Sequence, residues 1–254
     1  MKYVLRKIEF VQQKHKINLI KIKKLKKITI AIDGFSSTGK STLAKQLAKE
    51  LEYVYVDTGA MYRAVAYFAM QNHFIGADLF DKKALIEALP KIQLEFRFNA
   101  DLGFAEMYLN GENVEKPIRT IEVSNFVSKV AEVSEVRSKL VEQQQEMGTN
   151  KAIVMDGRDI GTVVFPSAEL KIFMTASAET RAQRRFDELQ QKGDNVSYED
   201  VLKNVMERDY IDTHREDSPL IIADDAIEID NSYLNKEEQF AAVLELVNDV
   251  VKTI

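Results

Sequence analysis

The stretch Ile28-Thr-Ile-Ala-Ile-Asp-Gly-Phe-Ser-Ser-Thr-Gly-Lys-Ser-Thr42 decides the fold that we predict for this chain. It opens with an apolar run of β-type alternation and continues into residues 34–41, a full match to G-x-x-x-x-G-K-[ST]. Leucines and alanines of residues 43–51 then recur at helical spacing. The motif therefore lies between a strand and a helix, where its glycines let backbone N–H groups turn onto an anion.

This context predicts a site for the phosphates of a nucleoside triphosphate. We expect Lys40 to reach the β- and γ-phosphates and the Ser41 hydroxyl to hold Mg²⁺. The N-terminus of the following helix adds unpaired N–H donors. The predicted phosphate-binding residues are Gly34, Phe35, Ser36, Ser37, Thr38, Gly39, Lys40, Ser41 and Thr42.

The composition suits a globular domain, with 254 residues of which 45% are hydrophobic and 30% charged. A net charge of −5 gives no general argument for nucleic-acid binding. The lack of cysteine excludes disulfides, thiolate metal sites and a cysteine nucleophile. No apolar run approaches the ~20 residues that span a bilayer. We therefore expect a cytoplasmic protein with no membrane partner.

Residues 1–27 differ from the rest, because they hold ten lysines and arginines against the single acidic residue Glu9. Three interpretations are open: a basic arm for nucleic acid or anionic membrane, an amphipathic helix, or a dispensable extension. We favour the dispensable extension, because the β pattern of a compact domain begins only at Ile28.

Tyr53-Val-Tyr-Val56 predicts a second strand, after which Asp57 or Thr58 suits the N-cap of a helix. Thr58 and Tyr62 are four residues apart and share a helix face, and Arg63 follows. A hydroxyl, a phenol and a guanidinium beside a helix N-terminus make a second anion site. A plain helix cap with a solvated arginine explains these residues equally well.

Residues 78–120 interrupt the alternation of strands and helices. Residues 79–89 predict a short helix ended by Pro90, and residues 92–98 and 105–109 predict antiparallel strands. Asn110-Gly111 predicts a tight turn before a further short strand. This insert is either a flap over a substrate or a structural elaboration.

Residues 121–147 have a helical pattern that carries Ser128 and Arg137, nine residues apart. On one straight helix these two side chains would face opposite sides. A break near Val133, with Ser134 capping the second helix, would let both point into one cleft.

A buried strand at residues 151–155 runs into Asp156-Gly-Arg-Asp-Ile-Gly-Thr162. Ligands collect at the carboxyl ends of strands in open α/β sheets. We therefore interpret Arg158 and Asp159 as a recognition pair rather than a mutual ion pair.

Two arginine-rich helices follow a strand at residues 170–175. Arg181, Arg184 and Arg185 are helix neighbours that repel one another unless an anion lies between them, although a solvated basic face is the alternative. Residues 190–195 form a flexible joint suited to a moving lid. A helix beginning at Ser197 then places one group of charged residues on a single face: Arg208, Asp212 and Arg215.

Taken together and in this order, these motifs resemble the bacterial cytidylate kinases of the nucleoside monophosphate kinase group. The resemblance is carried by residues 33–42, 56–63 and 156–166 and by Glu207-Arg-Asp with Asp212 and Arg215, and it covers residues 28–254. It implies an α/β P-loop kinase with a central parallel sheet flanked by helices. Within a single domain it implies a small antiparallel NMP-binding insert at residues 79–135 and a short helical lid at about residues 181–205.

The resemblance also implies the roles of individual residues. The acceptor nucleotide and its phosphate would be lined by Thr58, Tyr62, Arg63, Arg119 and Arg158. The cytosine edge would be read by Ser128, Arg137 and Asp159. The ribose-and-phosphate cluster would be Arg208, Asp212 and Arg215, and the lid arginines would be Arg181, Arg184 and Arg185.

The implied reaction is transfer of the γ-phosphoryl group of ATP to CMP or dCMP by a monomeric enzyme that needs Mg²⁺. Besides Ser41, Asp33 or Asp156 would orient metal-bound water. The alternatives are another small-molecule P-loop kinase of the uridylate or shikimate type, or a nucleotide-gated nucleic-acid-binding protein with the lysine-rich arm as its contact. For the kinase domain itself no nucleic-acid partner is expected.

Deletion of residues 1–24 is expected to leave turnover of ATP and CMP intact, because the predicted domain begins after them. The measurement is steady-state ADP production by the truncated and full-length chains at the same enzyme concentration. A large loss of turnover in a truncated chain that still folds would contradict the interpretation of a dispensable extension.

Overall fold

The structure is a computed structural model that describes residues 27–253, so the predictions for the basic residues 1–26 lie outside it. Short 3₁₀ helices span Leu89–Lys91 and Pro117–Arg119, and a π-helix spans Ile160–Val164. The other elements, in chain order, are β1 (Thr29–Gly34), α1 (Lys40–Leu51), β2 (Val54–Asp57), α2 (Thr58–Gln71), α3 (Lys82–Ala88), β3 (Leu94–Asn99), β4 (Phe104–Leu109), β5 (Glu112–Asn113), α4 (Ile121–Ala131), α5 (Ser134–Met147), β6 (Ile153–Asp156), β7 (Leu170–Thr175), α6 (Ala178–Gln191), α7 (Tyr198–His214), β8 (Ile227–Asp230) and α8 (Lys236–Thr253).

A parallel sheet with the strand order β2-β6-β1-β7-β8 forms the centre of the fold. Because all its strands run the same way, the carboxyl ends of β1, β2 and β6 meet at one edge. That edge holds Gly34, Asp57 and Asp156, the last residues of these strands. The central parallel sheet predicted from the sequence is therefore confirmed.

Alternation along β1 divides the core between the two faces of the sheet. Ile30 and Ile32 face α1 and α8, where they pack with Leu47 and Val247. Ala31 faces the opposite layer. The repeat of two in a strand and 3.6 in a helix explains this division. Among residues 27–253, no helix combines the length and apolarity that a bilayer crossing needs.

The interruption of the α/β alternation is a second sheet in the order β3-β4-β5, which is antiparallel as predicted. Asn110 and Gly111 both have positive φ angles, 51° and 88°, so they form the predicted tight turn. The short helix before this sheet differs from the prediction at residues 79–89. It begins at Lys82, because the Asp81 side chain accepts a hydrogen bond from Ala84 N at 2.9 Å, and its α-helical part ends at Ala88.

Two antiparallel-packed helices, α6 and α7, occupy the region predicted as the lid. They share a small buried core of Ala182, Leu189, Val201 and Val205. Ser197 caps α7 as expected, because its hydroxyl accepts a hydrogen bond from Asp200 N at 3.0 Å. The division of the chain into insert and lid stays a prediction.

The break between α4 and α5 lies where the sequence places it, but the prediction that Ser134 caps the second helix is wrong. The cap residue is Val133, whose extended backbone (φ −79°, ψ 112°) ends one helix before the next begins. Ser134 is already the first helical residue. The change of direction therefore comes from the backbone of Val133 and not from a hydroxyl cap.

Gly34→Ala is expected to destabilise the fold by ~3 kcal/mol or more, from a strained φ and a steric clash together. The residue has a φ of +136°, and a Cβ there would lie 1.9 Å from the Met174 carbonyl oxygen of β7. Urea unfolding measures the change in the free energy of unfolding.

Gly103→Ala is the matched control. Its φ is +73°, and within the described part of the chain an added Cβ would meet no atom within 4 Å. It should lose only about 1 kcal/mol. Equal losses in the two variants would contradict the steric argument.

Candidate active site

The loop between β1 and α1 is held by side chains that bond its carbonyl groups. Lys40, which is 5% exposed, donates through Nζ to the Phe35 carbonyl and to Thr38 Oγ1 at 3.3 Å. Ser37 and Gly39 have positive φ angles of 62° and 86°. Residues of this kind beside ordinary ones form a concave backbone whose N–H groups converge on an anion. The backbone of this loop therefore suits an anion.

Two residues from distant elements complete this support. Arg181 donates through Nη1 to the Ser36 carbonyl at 3.3 Å, and Asn231 donates through Nδ2 to the Thr38 carbonyl at 2.5 Å. Arg181 is itself paired with both carboxylate oxygens of Asp209, at 3.0 and 2.6 Å. Arg181 is thus a buried support of the phosphate loop, which limits its freedom to move as a lid residue.

The two candidate metal-orienting carboxylates have different surroundings. Asp156 Oδ2 accepts the Ser41 hydroxyl at 2.9 Å. Asp33 accepts the backbone N–H groups of Ile160 at 2.8 Å and Gly161 at 2.7 Å. Burial raises the pKa of Asp33 to about 7 against these bonds, and burial, followed by the charge of Asp57, raises that of Asp156 to about 6. The geometry favours Asp156, because its carboxylate contacts the Ser41 hydroxyl, whereas that of Asp33 binds the backbone of residues 160 and 161.

A cleft opens beside this loop between α2, α4, α7 and the segment after β6. It brings together every residue predicted for the acceptor nucleotide except Arg119. Its lining is Thr58, Gly59, Tyr62, Arg63, Val127, Ser128, Ala131, Arg137, Gly157, Arg158, Asp159, Arg208, Asp212 and Arg215. Thr58 joins the cleft to the sheet, since its hydroxyl donates to the Asp156 carbonyl at 2.8 Å.

Positive charge exceeds negative charge in this cleft, which has five lining arginines against the two carboxylates Asp159 and Asp212. Asp212 accepts from Arg158 Nε at 2.8 Å. Burial, and then the charge of Arg158, lower the pKa of Arg208 to about 9. Burial also lowers the pKa of Arg63. Such arginines favour an anion among them.

Unpaired polar atoms point to a ligand in the same place. Within the part of the chain that the structure describes, no hydrogen-bond partner meets the buried Tyr62 hydroxyl, Arg63 Nε or Arg208 Nε. Buried polar groups are costly without a partner. A phosphate or sugar in the cleft would supply the acceptors for these donors.

One end of the cleft holds a buried charge pair. Arg137, which is 2% exposed, donates through Nη2 to Asp159 Oδ2, and Arg215 Nη2 lies 3.9 Å from Asp159 Oδ1. Ser128 of α4 lines the same cleft as Arg137 of α5, on the other side of the break at Val133. This end therefore presents hydrogen-bond donors and a carboxylate acceptor side by side.

Asp57 is the residue of this region whose full role the sequence did not reveal. It caps α2, as predicted, by accepting from Ala60 N at 2.9 Å. It also pairs with Arg63 at 3.1 Å and Arg119 at 2.7 Å. Burial opposes its ionisation, but the two guanidinium charges outweigh it and hold the pKa of Asp57 well below its usual range. Arg119 therefore lies one ion pair away from the cleft, and it also binds Glu115.

The remaining predicted lid arginines are also engaged. Arg184 donates to the Asn231 side-chain oxygen at 3.1 Å and to its carbonyl at 2.8 Å. Arg185 pairs with Glu188 at 3.1 Å. Asp209 was quoted from the sequence only within Glu207-Arg-Asp, with no role of its own, and Asn231 was not singled out. No local sequence pattern links Asp209 to Arg181, because the two residues are 28 positions apart. Only the position of Asp209 next to Arg208 could have drawn attention to it.

Comparison with known proteins shows the family of the chain. Residues 30–249 match the family model described as cytidylate kinase. The chain belongs to the cytidylate kinase family.

Curated members of this family are similar to the chain over most of its length. The cytidylate kinase of Flavobacterium johnsoniae is 95% identical over 228 residues, which cover 90% of this chain and 99% of that protein. That of Flavobacterium psychrophilum is 73% identical, covering 89% and 100%. That of Bacteroides thetaiotaomicron is 56% identical, covering 90% and 100%. The protein is therefore a kinase, a phosphotransferase that binds nucleotides.

Asp57→Asn is expected to lower the free energy of unfolding by about 2 kcal/mol near neutral pH, because two arginines lose a buried partner while the α2 cap is kept. A carboxyl group whose pKa is lowered by folding stabilises the folded state at pH values above its unfolded pKa, about 3.9. This stability is lost as the pH falls through its folded pKa. The loss of stability on acidification below about pH 4 should therefore be shallower in the variant. Urea unfolding at several pH values measures both effects.

The control for Asp57→Asn is Asp101→Asn in the exposed turn between β3 and β4. It should leave the acid dependence of stability unchanged. Parallel pH curves for Asp57→Asn and the unmodified protein would contradict the assignment of Asp57 as an ionised partner of Arg63 and Arg119.

Proposed function

We propose that this enzyme transfers the γ-phosphoryl group of ATP to CMP or dCMP, giving ADP and CDP or dCDP. The observation that carries the proposal is the cleft beside the phosphate loop, which has a surplus of arginines and contains the Arg137–Asp159 pair. Membership in the cytidylate kinase family supports the same acceptor.

The base assignment follows from hydrogen-bond chemistry. Cytosine presents an amino donor at C4 beside acceptors at N3 and O2. A carboxylate accepts from the amino group, and a guanidinium donates to the acceptors. Uracil presents an oxygen at C4, which the Asp159 carboxylate would repel. The end of the cleft that holds this pair is therefore complementary to cytosine.

The phosphate of the acceptor would lie among Arg63, Arg158 and Arg208, nearest the donor loop. Phosphoryl transfer needs alignment of the two nucleotides and neutralisation of charge on the transferring oxygens. The acceptor phosphate is already anionic at neutral pH, since its second pKa is about 6. The reaction therefore needs no general base from the protein, and we assign none.

Lys40 and the loop amides would hold the donor phosphates. Ser41 and Asp156 offer hard oxygen atoms 2.9 Å apart at the mouth of the loop, a donor set that suits Mg²⁺. Bound there, the ion would neutralise phosphate charge. Asp33 takes no part in this proposal, because its carboxylate holds the backbone of residues 160 and 161.

Asp212 is the proposed acceptor for sugar hydroxyls. One of its oxygens accepts from Arg158 Nε, which leaves the other for the ribose. Arg184 and Arg185 are proposed to complete the charge around the transferring group when ATP is bound, and Arg181 is proposed to hold the loop beneath it. The monomeric state and the cytoplasmic location stay predictions.

The experiment that tests the proposal is ADP production from ATP with CMP, dCMP, UMP, AMP and shikimate as separate acceptors. Preference for CMP or dCMP by a large factor in kcat/KM is the expected result. A preference for UMP or shikimate would replace the proposal with one of the other small-molecule kinases.

Asp159→Asn is expected to lower kcat/KM for CMP by about 100-fold and to reduce the preference for CMP over UMP, because an amide can donate to the uracil oxygen. The control is Asp217→Asn, which removes a carboxylate 3.7 Å from the same Arg137 but outside the cleft. An unchanged CMP-to-UMP ratio in Asp159→Asn would show that Asp159 does not contact the base.

Arg184→Ala is expected to lower kcat by ~10³, by analogy with arginines that neutralise charge in phosphoryl transfer. Single-turnover measurements with saturating ATP and CMP check this on the chemical step. Lys192→Ala, which removes an exposed cation paired with Glu188 at the end of α6, should leave kcat unchanged. A loss below about tenfold in Arg184→Ala would place that residue outside the transition state.

A further inference from the structure

Asp156 uses both of its carboxylate oxygens within the protein. Oδ2 accepts the Ser41 hydroxyl, and Oδ1 accepts the phenol of Tyr55, each at 2.9 Å. The Asp156 side chain is buried, at 4% exposure. A carboxylate held at one oxygen has a defined orientation for the other, since rotation about its last bond would break the first contact.

Tyr55 is well placed to hold that orientation. It lies on β2, whose register with β6 pairs Tyr55 with Val154 and Asp57 with Asp156. Its ring is covered by Lys45 of α1, whose ammonium lies 5.7 Å from the ring centroid and 3.9 Å from the ring of Phe104 on β4. The pairing of β2 with β6 therefore places the phenol beside Asp156, and Lys45 lies next to its ring.

We propose that Tyr55 is a positioning residue for the metal end of the donor site: its phenol holds Asp156 so that the second carboxylate oxygen meets Ser41. This inference rests on the proposed function, because it assigns Ser41 and Asp156 to Mg²⁺. Tyr55 bonds the Asp156 oxygen other than the one that accepts the Ser41 hydroxyl, so we assign it to positioning Asp156 and not to catalysis. Outer partners of this kind commonly alter metal affinity by about 10-fold or more when removed.

The test measures metal-dependent nucleotide affinity rather than activity. Calorimetry gives the Kd of ADP for the full chain in saturating Mn²⁺ and in EDTA. The Kd in EDTA divided by the Kd in Mn²⁺ reports the contribution of the metal. In Tyr55→Phe this ratio should fall about 10-fold, while the Kd in EDTA changes by less than about twofold. A ratio within about twofold of the unmodified enzyme would overturn the proposal.

Two control variants separate the hydroxyl from the packing. Tyr53→Phe removes a hydroxyl two residues away in sequence, which accepts from Ile28 N at 3.2 Å outside the site. Lys45→Met removes the cation beside the Tyr55 ring but keeps the phenol. Both should leave the Mn²⁺ ratio unchanged. If Lys45→Met lowered the ratio as much as Tyr55→Phe, ring packing rather than the hydrogen bond would be responsible and the proposal would fail.

A double-mutant cycle distinguishes positioning from general structure. In the Asp156→Asn background, adding Tyr55→Phe should change the ratio by less than about twofold. The same loss in both backgrounds would mean that Tyr55 does not act through Asp156.

If Tyr55→Phe does not fold, 3-fluorotyrosine at position 55 keeps the phenol in an otherwise unmodified chain. Its ¹⁹F resonance should shift when Mg²⁺ is added to the ADP complex, and a resonance that does not move would overturn the proposal. The acceptor panel is independent of these measurements, so failure with CMP and failure of Tyr55 are distinguishable. If the unmodified enzyme bound ADP with the same Kd in Mn²⁺ and in EDTA, both the metal assignment and this inference would be overturned.

Discussion

The rest of the structure depends on the orientation of the peptide groups between β1 and α1. A loop that offers its N–H groups to a polyanion must turn its carbonyls elsewhere and bond them there. Lys40, Arg181 and Asn231 meet this requirement, and they come from three separate parts of the chain. Helix α6, the residue after β8 and the start of α1 are thus tied to one loop. Asn231 bonds the loop directly, and Asp209 holds Arg181, which bonds it too.

The second constraint is the surplus of arginines in the neighbouring cleft. Asp57 and Asp212 each hold an arginine in place without neutralising the whole set. A site with buried cations in excess is matched to a dianionic ligand, since the ligand supplies the missing charge. The same carboxylates keep the guanidinium groups oriented before the ligand arrives. Phosphoryl transfer depends mainly on aligned substrates and on charged side chains that are already oriented when the ligand binds.

Much of the fold could be predicted from local patterns, and the failures have local causes. The stretch that begins at residue 28 predicted a strand, a loop and a helix, because apolar residues recur there every second residue and then every third or fourth. The predicted start of α3 was three residues early. The apolar residue at 79 suggested the start, but the Asp81 side chain caps the helix and sets its first residue at 82. Ser134 looked like a cap, yet Val133 makes the break by its backbone alone. The acceptor residues came chiefly from a family resemblance, and the structure brings all of them but Arg119 into one cleft.

By itself, the sequence predicted the strand, loop and helix of the phosphate-binding motif and the charged residues available to a second nucleotide, because these depend on short-range spacing along the chain. The central parallel sheet was implied by the family resemblance. Only the tertiary structure decided which carboxylate bonds Ser41 and which binds backbone. Asp33 and Asp156 are the same residue type near the ends of neighbouring strands, and they differ only in the groups packed against them. The tertiary structure likewise decided that Asp57 joins Arg63 to Arg119 and that Tyr55 meets Asp156. Hydrogen bonds between residues some 60 to 100 positions apart leave no periodic trace, and only packing brings their atoms together.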